Sequence, residues 1–235
     1  MPLVLLALVF AGFARTFFLR SLFPVPRIPW YTYLHGVVQL SWFLLLIVQT
    51  QLIARGRPAI HRRLGAVGAV LAVLVVSLSS FTVWRLPEHF RSGHLSIDIP
   101  FDLRGILAIF WNNVASLIVM AAFLGAALVL RRRTEVHKRL ILFASNLIVA
   151  PAISRIAALL AGVMPVFRQP PVQVALTAVI VVVVLPLTLV VHDLRTRRRV
   201  HPATLTGITG GLFTGVIGAA LAASSAGQAV FIVLE

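Results

Sequence analysis

Residues 34–54 read LHGVVQLSWFLLLIVQTQLIA and residues 64–84 read LGAVGAVLAVLVVSLSSFTVW, with RGRPAIHRR between them at 55–63. Each apolar run is about 20 residues long, the length a helix needs to cross roughly 30 Å of hydrocarbon. The arginine-rich link cannot stay in that hydrocarbon, so the two runs read as antiparallel spans joined by a turn outside it.

The same reading, carried outward, places seven spans at about 3–22, 34–54, 64–84, 105–130, 140–162, 172–192 and 204–223. The apolar tail from Ala226 to Leu234 is too short to cross and either extends the seventh helix or lies at the interface. The first segment lacks a basic leader and a clear small-residue cleavage site and carries Arg15, so it reads as an uncleaved span. The chain is 60% hydrophobic and 11% charged, where soluble domains carry roughly 25% charged residues. That excludes an ordinary soluble domain and a disordered chain. With no cysteine, disulfides and metal–thiolate sites are excluded as well.

Arginines and lysines set the orientation. Arg55, Arg57, Arg62, Arg63, Arg131, Arg132, Arg133, Lys138, Arg139, Arg195, Arg197, Arg198 and Arg199 fall on one side. Only Arg20, Arg27, Arg85, Arg91, Arg104 and Arg168 fall on the other. The positive-inside rule puts the first set in the cytoplasm, with the N-terminus cytoplasmic and the C-terminus periplasmic. The formal charge of +15 is then a topology signal with some attraction to anionic lipid headgroups, and it calls for no nucleic acid.

The three cytoplasmic turns share a pattern: Arg, two variable residues, an apolar β-branched residue, then His. It occurs at Arg57…Ile60-His61, Arg133…Val136-His137 and Arg197…Val200-His201. The spacing implies three related helical hairpins, spans 2–3, 4–5 and 6–7, added to a lone first helix. The motif reads as a membrane anchor with long side chains reaching lipid phosphate, or as an anion site at helix N-termini. A third reading lets the histidines converge on a metal or haem, and the sequence leaves the metal unknown.

Span 2 carries His35, Gln39, Trp42, Leu46, Gln49 and Ile53 at steps of three and four, which share one helix face. Its polar members are costly against lipid, so that face turns into the bundle. Span 4 offers Asn112 and Asn113; span 5 offers Ser145 and Asn146, then Arg155 beyond Pro151. In a straight helix Asn146 and Arg155 point in opposite directions. All six acidic residues, Glu88, Asp98, Asp102, Glu135, Asp193 and Glu235, lie outside these spans. Arg15 and Arg155 therefore lack an in-span carboxylate unless Asp98 or Asp102 dips in. The candidate ligand site is an outer-leaflet pocket of His35, Gln39, Trp42, Asn112, Asn113 and Arg155. In span 7, Gly207, Gly211 and Gly215 recur every fourth residue, a face for close helix packing within the bundle or between copies.

The missing intramembrane carboxylates argue against a cation-coupled transporter, and no phosphate-cradling, zinc-hydrolase or nucleophile-elbow motif is present. For haem, His35 and His61 stand about 39 Å apart along a helix and cannot share one group. His35 with His89 or His94, or His61 with His137 or His201, remain open pairs.

His35-Gly36, Trp42, Gln49, His61-Arg62-Arg63-Leu64-Gly65, His137-Lys138-Arg139-Leu140, Pro151-Ala152-Ile153-Ser154-Arg155 and Val200-His201-Pro202-Ala203-Thr204 form a set. Over roughly residues 10–215 this set resembles a family of uncharacterised bacterial multi-pass membrane proteins. The resemblance implies a bacterial inner (cytoplasmic) membrane location and no particular activity. The expectation is an all-α polytopic bundle of seven transmembrane helices. Its leading function is binding of a small anionic or amphipathic ligand, with no cofactor. A haem b electron-transfer protein and an assembly subunit are the alternatives.

Overall fold

A computed structural model describes residues 1–25, 27–91, 103–161, 176–177 and 179–234. Every element among them is helical. The order is α1 (Pro2–Phe13, running into a π-helical turn Ala14–Phe18), α2 (Trp30–Ala54), α3 (Pro58–Trp84), α4 (Leu86–Arg91) and α5 (Leu103–Val129). Then come α6 (Thr134–Ala161), α7 (Leu185–Arg197, entered through a π-helical segment Val179–Val184), α8 (Pro202–Ala223) and α9 (Ser225–Leu234). Six helical stretches are long and apolar enough to cross a membrane, and the N-terminal stretch Pro2–Phe18 is shorter.

Several helices begin earlier than hydropathy places them. α3 starts at Pro58 and α6 at Thr134, so Arg62, Arg63, Lys138 and Arg139 are helical, while Arg55, Arg57, Arg131, Arg132 and Arg133 stay in the turns. Pro58 and Pro202 sit at the first helical position, where the missing N–H costs nothing. The α2–α3 turn closes with Gly56 at φ +67, with Gly56 N–H on the Ile53 carbonyl and Arg57 N–H on the Leu52 carbonyl. That is the glycine-terminated helix end in which a left-handed residue satisfies two orphan carbonyls.

α6 is the centre of the bundle. Its apolar window is 61% buried, against 33% or less in the other five long helices. Leu140, Phe143, Ala144, Leu147, Val149, Ala152, Ile153 and Ala157 are buried on all sides of it, as expected of a helix surrounded by others. α5, α1 and α8 pack on it, and α3 packs on α2 and α5. Small residues permit the closest approaches. A Cβ on Gly12 would stand 2.7 Å from the Ala152 Cα, so α1 crosses α6 backbone to backbone. Gly207 of α8 receives the Phe143 ring, Gly211 faces Val182, and Gly215 has nothing within 4 Å. Two of the three glycines expected to form a packing face are thus used inside the bundle.

The outward faces are apolar. Val67, Val70 and Val73 of α3 and Leu212, Phe213 and Val216 of α8 are exposed, as are Trp30 and Trp84 where α2 begins and α3 ends. Two exposed hydroxyls of α8 bond their own helix: Thr206 donates to the Pro202 carbonyl and Thr209 to that of Leu205. The C-terminal tail neither extends α8 nor lies free. The chain turns extended at Ser224, and α9 returns onto α5, burying Phe231 against Phe110 at 5.2 Å between ring centroids.

Gly12→Ala should destabilise the fold by about 1–3 kcal/mol, because the opposing atoms are backbone and cannot move aside. Gly215→Ala should leave the melting temperature unchanged or slightly raised, since Ala is the better helix former. Thermal unfolding followed by circular dichroism in detergent checks both.

Candidate functional site

Two polar clusters occupy opposite ends of the bundle. At the basic end, the Arg139 guanidinium of α6 is wholly buried and so is the Asp193 carboxylate of α7. Arg139 Nη2 donates to Asp193 Oδ1, Nη1 donates to Glu135 Oε2 at 2.5 Å and to the Glu135 carbonyl at 2.9 Å, and Nε donates to Thr204 Oγ1 at 3.1 Å. The Thr204 hydroxyl in turn donates a hydrogen bond to Asp193 Oδ2 at 2.6 Å, and the His201 backbone N–H donates to the same oxygen at 3.0 Å. Arg197 closes the rim with Nη2 on Glu135 Oε2 at 2.7 Å. Both charges are paired and hydrogen-bonded on every side, the condition for keeping ions out of water.

This cluster corrects the sequence reading at two places. Asp193 reads as a loop residue one position past a span, yet it is buried in a helix. Arg139 reads as an anchor reaching for lipid phosphate, yet it is the most enclosed cation of the basic turns. The signal that could have found them is their chemistry: opposite charges, each one residue beyond a hydropathy boundary at the same end.

The three motif histidines hold helix starts, and the copies are not equivalent. In the first two, the Arg57 and Arg133 carbonyls accept the backbone N–H groups of His61 and His137, which is the first helical turn and explains the Arg-to-His spacing. In the third, α7 ends at Arg197, Arg198 adopts φ 56, and α8 begins only after His201. His201 Nδ1 there accepts the Ala203 backbone N–H at 3.0 Å and caps α8. His137 Nδ1 lies 2.8 Å from the Ala127 carbonyl and must be the donor. The network orients the Gln49 amide to donate to His61 Nδ1 at 2.6 Å and accept from Gly65 N–H at 3.2 Å, tying α2 to α3. Burial, and then the Arg139 and Arg197 cations, push the His201 imidazole below its usual range. Among the described residues no group of three or more His, Cys, Asp or Glu is placed to hold a metal ion.

At the opposite end, the expected pocket residues divide. Gln39 Nε2 donates to Ser79 of α3 at 3.1 Å, and buried Trp42 donates its indole N–H to Ser145 of α6 at 3.0 Å. Asn112 lies at the α5–α8 seam, where a Cβ on Gly218 would stand 2.8 Å from its Cα. Asn113 folds back onto the Ile109 carbonyl of its own helix at 2.8 Å. Arg155 points to α1, its guanidinium 4.4 Å from the Phe13 ring centre, with Nη1 3.3 Å from the Pro151 carbonyl. His35 is close enough to Arg155 to interact electrostatically. Asn146, nine residues before Arg155, instead donates to the Val181 carbonyl at 2.6 Å. That carbonyl is available because Pro186, five residues on, has no N–H to offer it across the π-helical turn.

What distinguishes this end is what is left unbonded. The Arg155 Nε, His35 Nδ1, Gln39 Oε1, Thr16 Oγ1 and Thr32 Oγ1 atoms are buried and have no hydrogen-bond partner. Thr50, Thr82, Thr188, Thr196 and Thr214, in contrast, all bond back to their own helices. Thr16 lies one turn beyond Phe13, in the π-helical end of α1, and Thr32 one turn before His35. Neither threonine stands out in the sequence. Asp98 and Asp102, the carboxylates that the sequence leaves open as partners of Arg15 and Arg155, and His94 fall outside the described residues.

Six long apolar helices, one of them the buried core of the bundle, fit a multi-pass integral membrane protein. No protein-family model matches the chain, and no curated protein or solved structure matches it.

Arg139→Leu alone strands a buried carboxylate and should cost about 3–5 kcal/mol. Arg139→Leu with Asp193→Leu should recover much of that loss, because the double variant buries no unpaired carboxylate at that position. Thermal unfolding of the single and double variants gives the coupling, and additive losses would remove the ion pair from its central role.

Proposed function

We propose that the chain is a seven-span protein of the bacterial inner membrane, N-terminus cytoplasmic, that binds a small anionic or amphipathic ligand at the periplasmic end. The family resemblance and the charge asymmetry of the turns support the location. α1 counts as the seventh span: it lies along α6 with Leu5, Val9 and Gly12 buried, although its apolar helix is short.

A single observation carries the binding reading. Polar atoms at the basic end are bonded to one another, whereas Arg155, His35, Thr16 and Thr32 hold buried polar atoms without partners. A buried unmade hydrogen bond costs about 1–3 kcal/mol, and more for a charged group. A multi-oxygen anion recovers these costs together, with Arg155 supplying the charge and the hydroxyls and imidazole supplying donors. Phe13 forms the apolar wall beside the guanidinium. Gln39 and Trp42 stiffen the helix that carries His35 through Ser79 and Ser145. Asn112 and Asn113 do not enter this reading, because Asn112 stands at the α5–α8 seam and Asn113 bonds its own helix.

The test is native mass spectrometry of the full chain in detergent with phosphatidylglycerol, phosphatidylcholine or inorganic phosphate added. The wild type should retain phosphatidylglycerol or phosphate over phosphatidylcholine. Arg155→Gln should weaken that retention at least about tenfold, equivalent to about 1.4 kcal/mol, with helix content unchanged. Equal retention by wild type and Arg155→Gln overturns the reading. For the threading, a reporter fused after Glu235 should be active in the periplasm, and cytoplasmic activity overturns the seven-span count or the orientation.

A further inference from the structure

We infer that His201 is a proton-operated latch: its neutral ring caps α8 at the basic end of the bundle, and protonation releases the α7–α8 turn. This inference stands apart from the ligand reading above.

The geometry permits only one charge state in the closed form. His201 Nδ1 accepts the Ala203 N–H at 3.0 Å, so Nδ1 carries no proton and any proton on the ring is at Nε2. An imidazolium has N–H at both positions, and its Nδ1 cannot accept. Adding one proton therefore breaks the cap whatever else happens. The other two motif histidines differ. His137 Nδ1 already donates to a carbonyl, and that bond survives in either charge state. His61 Nδ1 meets the Gln49 amide on α2, a side chain that can turn its oxygen toward the ring.

The surroundings bias the ring the same way. From α6 it faces Arg139 and Glu135, and from α7 it faces Arg197 and Asp193. Both carboxylates are already engaged by Arg139, and Glu135 also by Lys138 and Arg197. They favour a cationic ring, but burial and the Arg139 and Arg197 cations outweigh them, so the balance favours the neutral form. The residue is also joined to the ion pair through its backbone, because the His201 N–H donates to Asp193 Oδ2. Loss of the cap thus loosens the strap that holds the Asp193 carboxylate against Arg139. α7, which this strap helps to hold, is entered through a π-helical segment and Pro186, and voids of about 10 Å³ flank it on the α8 and α1 sides.

The sign follows. The fold favours neutral His201, so the contribution of the cap is complete above the usual imidazole range near 6.5 and is lost as pH falls below it.

The test uses the full chain in lipid nanodiscs with ¹⁵N-labelled histidine and alanine. On titration from about pH 7.5 to about pH 5, the His201 ring should gain its proton at Nδ1 while the Ala203 amide resonance shifts in step. Over the same range the melting temperature should fall by about 2–4 °C, the loss of one helix cap in a chain of this size. His201→Asn, a capping residue that does not titrate, should abolish that fall, and His61→Asn and His137→Asn should retain it. A fall that persists in His201→Asn overturns the latch. If that variant does not fold, the wild-type titration decides alone: protonation of His201 without a shift at Ala203 also overturns it.

Discussion

A guanidinium buried among apolar helices has to be satisfied completely, and in this chain Arg139 sets how three helices meet. Its donors reach Glu135 one turn back, Asp193 on α7 and Thr204 on α8, and Thr204 in turn bonds Asp193. None of these bonds can be made unless α7 ends, and α8 begins, beside the first turns of α6. A hydrophobic contact would tolerate sliding by a residue, but a three-way network of charge-assisted bonds does not. The network therefore sets register more than it adds net stability. The unusual left-handed Arg198 marks the local strain accepted to bring His201 and Thr204 round to Asp193.

The remainder of α6 repeats the device with weaker groups. Ser145 receives Trp42 of α2, Asn146 reaches the Val181 carbonyl ahead of α7, and Arg155 lies against Phe13 of α1. Ser145, Asn146 and Arg155 thus address three different neighbours. In an apolar surrounding such bonds have no water to compete with them, so they specify pairings that dispersion alone leaves ambiguous. Proline serves this scheme twice. Pro186 leaves a carbonyl for Asn146, and the Pro151 carbonyl takes Ser154 and Arg155 within its own helix.

Much of this was legible in the sequence, and the rest was hidden for physical reasons. Hydropathy finds long helices because a span needs length and apolarity and little else. The period of Gln39, Trp42 and Gln49 shows that one face of α2 turns inward, and all three bond into the bundle. Hydropathy fails at helix starts, since first turns followed at once by Arg62-Arg63 or Lys138-Arg139 average as loop. It fails again at Asp193, whose partner is 54 residues away: amid Arg195, Arg197 and Arg198, a carboxylate looks like one more solvated charge. The similarity of the three turns hides a difference of geometry, because the letters match while the third helix begins on the far side of its histidine. At the other end, Arg155 is conspicuous by cost alone. Thr16 and Thr32 are not, since a threonine in a helix ordinarily bonds its own backbone, and only the structure shows these two failing to do so.

The two ends of the bundle thus solve the same problem in opposite ways. Both place arginine where lipid is near. At the basic end the sequence supplies Glu135 and Asp193, and the buried cation Arg139 is neutralised internally. At the other end the described partners of Arg155 are a ring, a carbonyl and a neutral imidazole or its cation, none of which cancels its charge. Among the described residues no carboxylate pairs with that guanidinium, which packs against the Phe13 ring. The requirement for a counter-charge is what turns this end from a structural feature into a candidate binding site, and the same requirement, already met, is why the basic end is a lock.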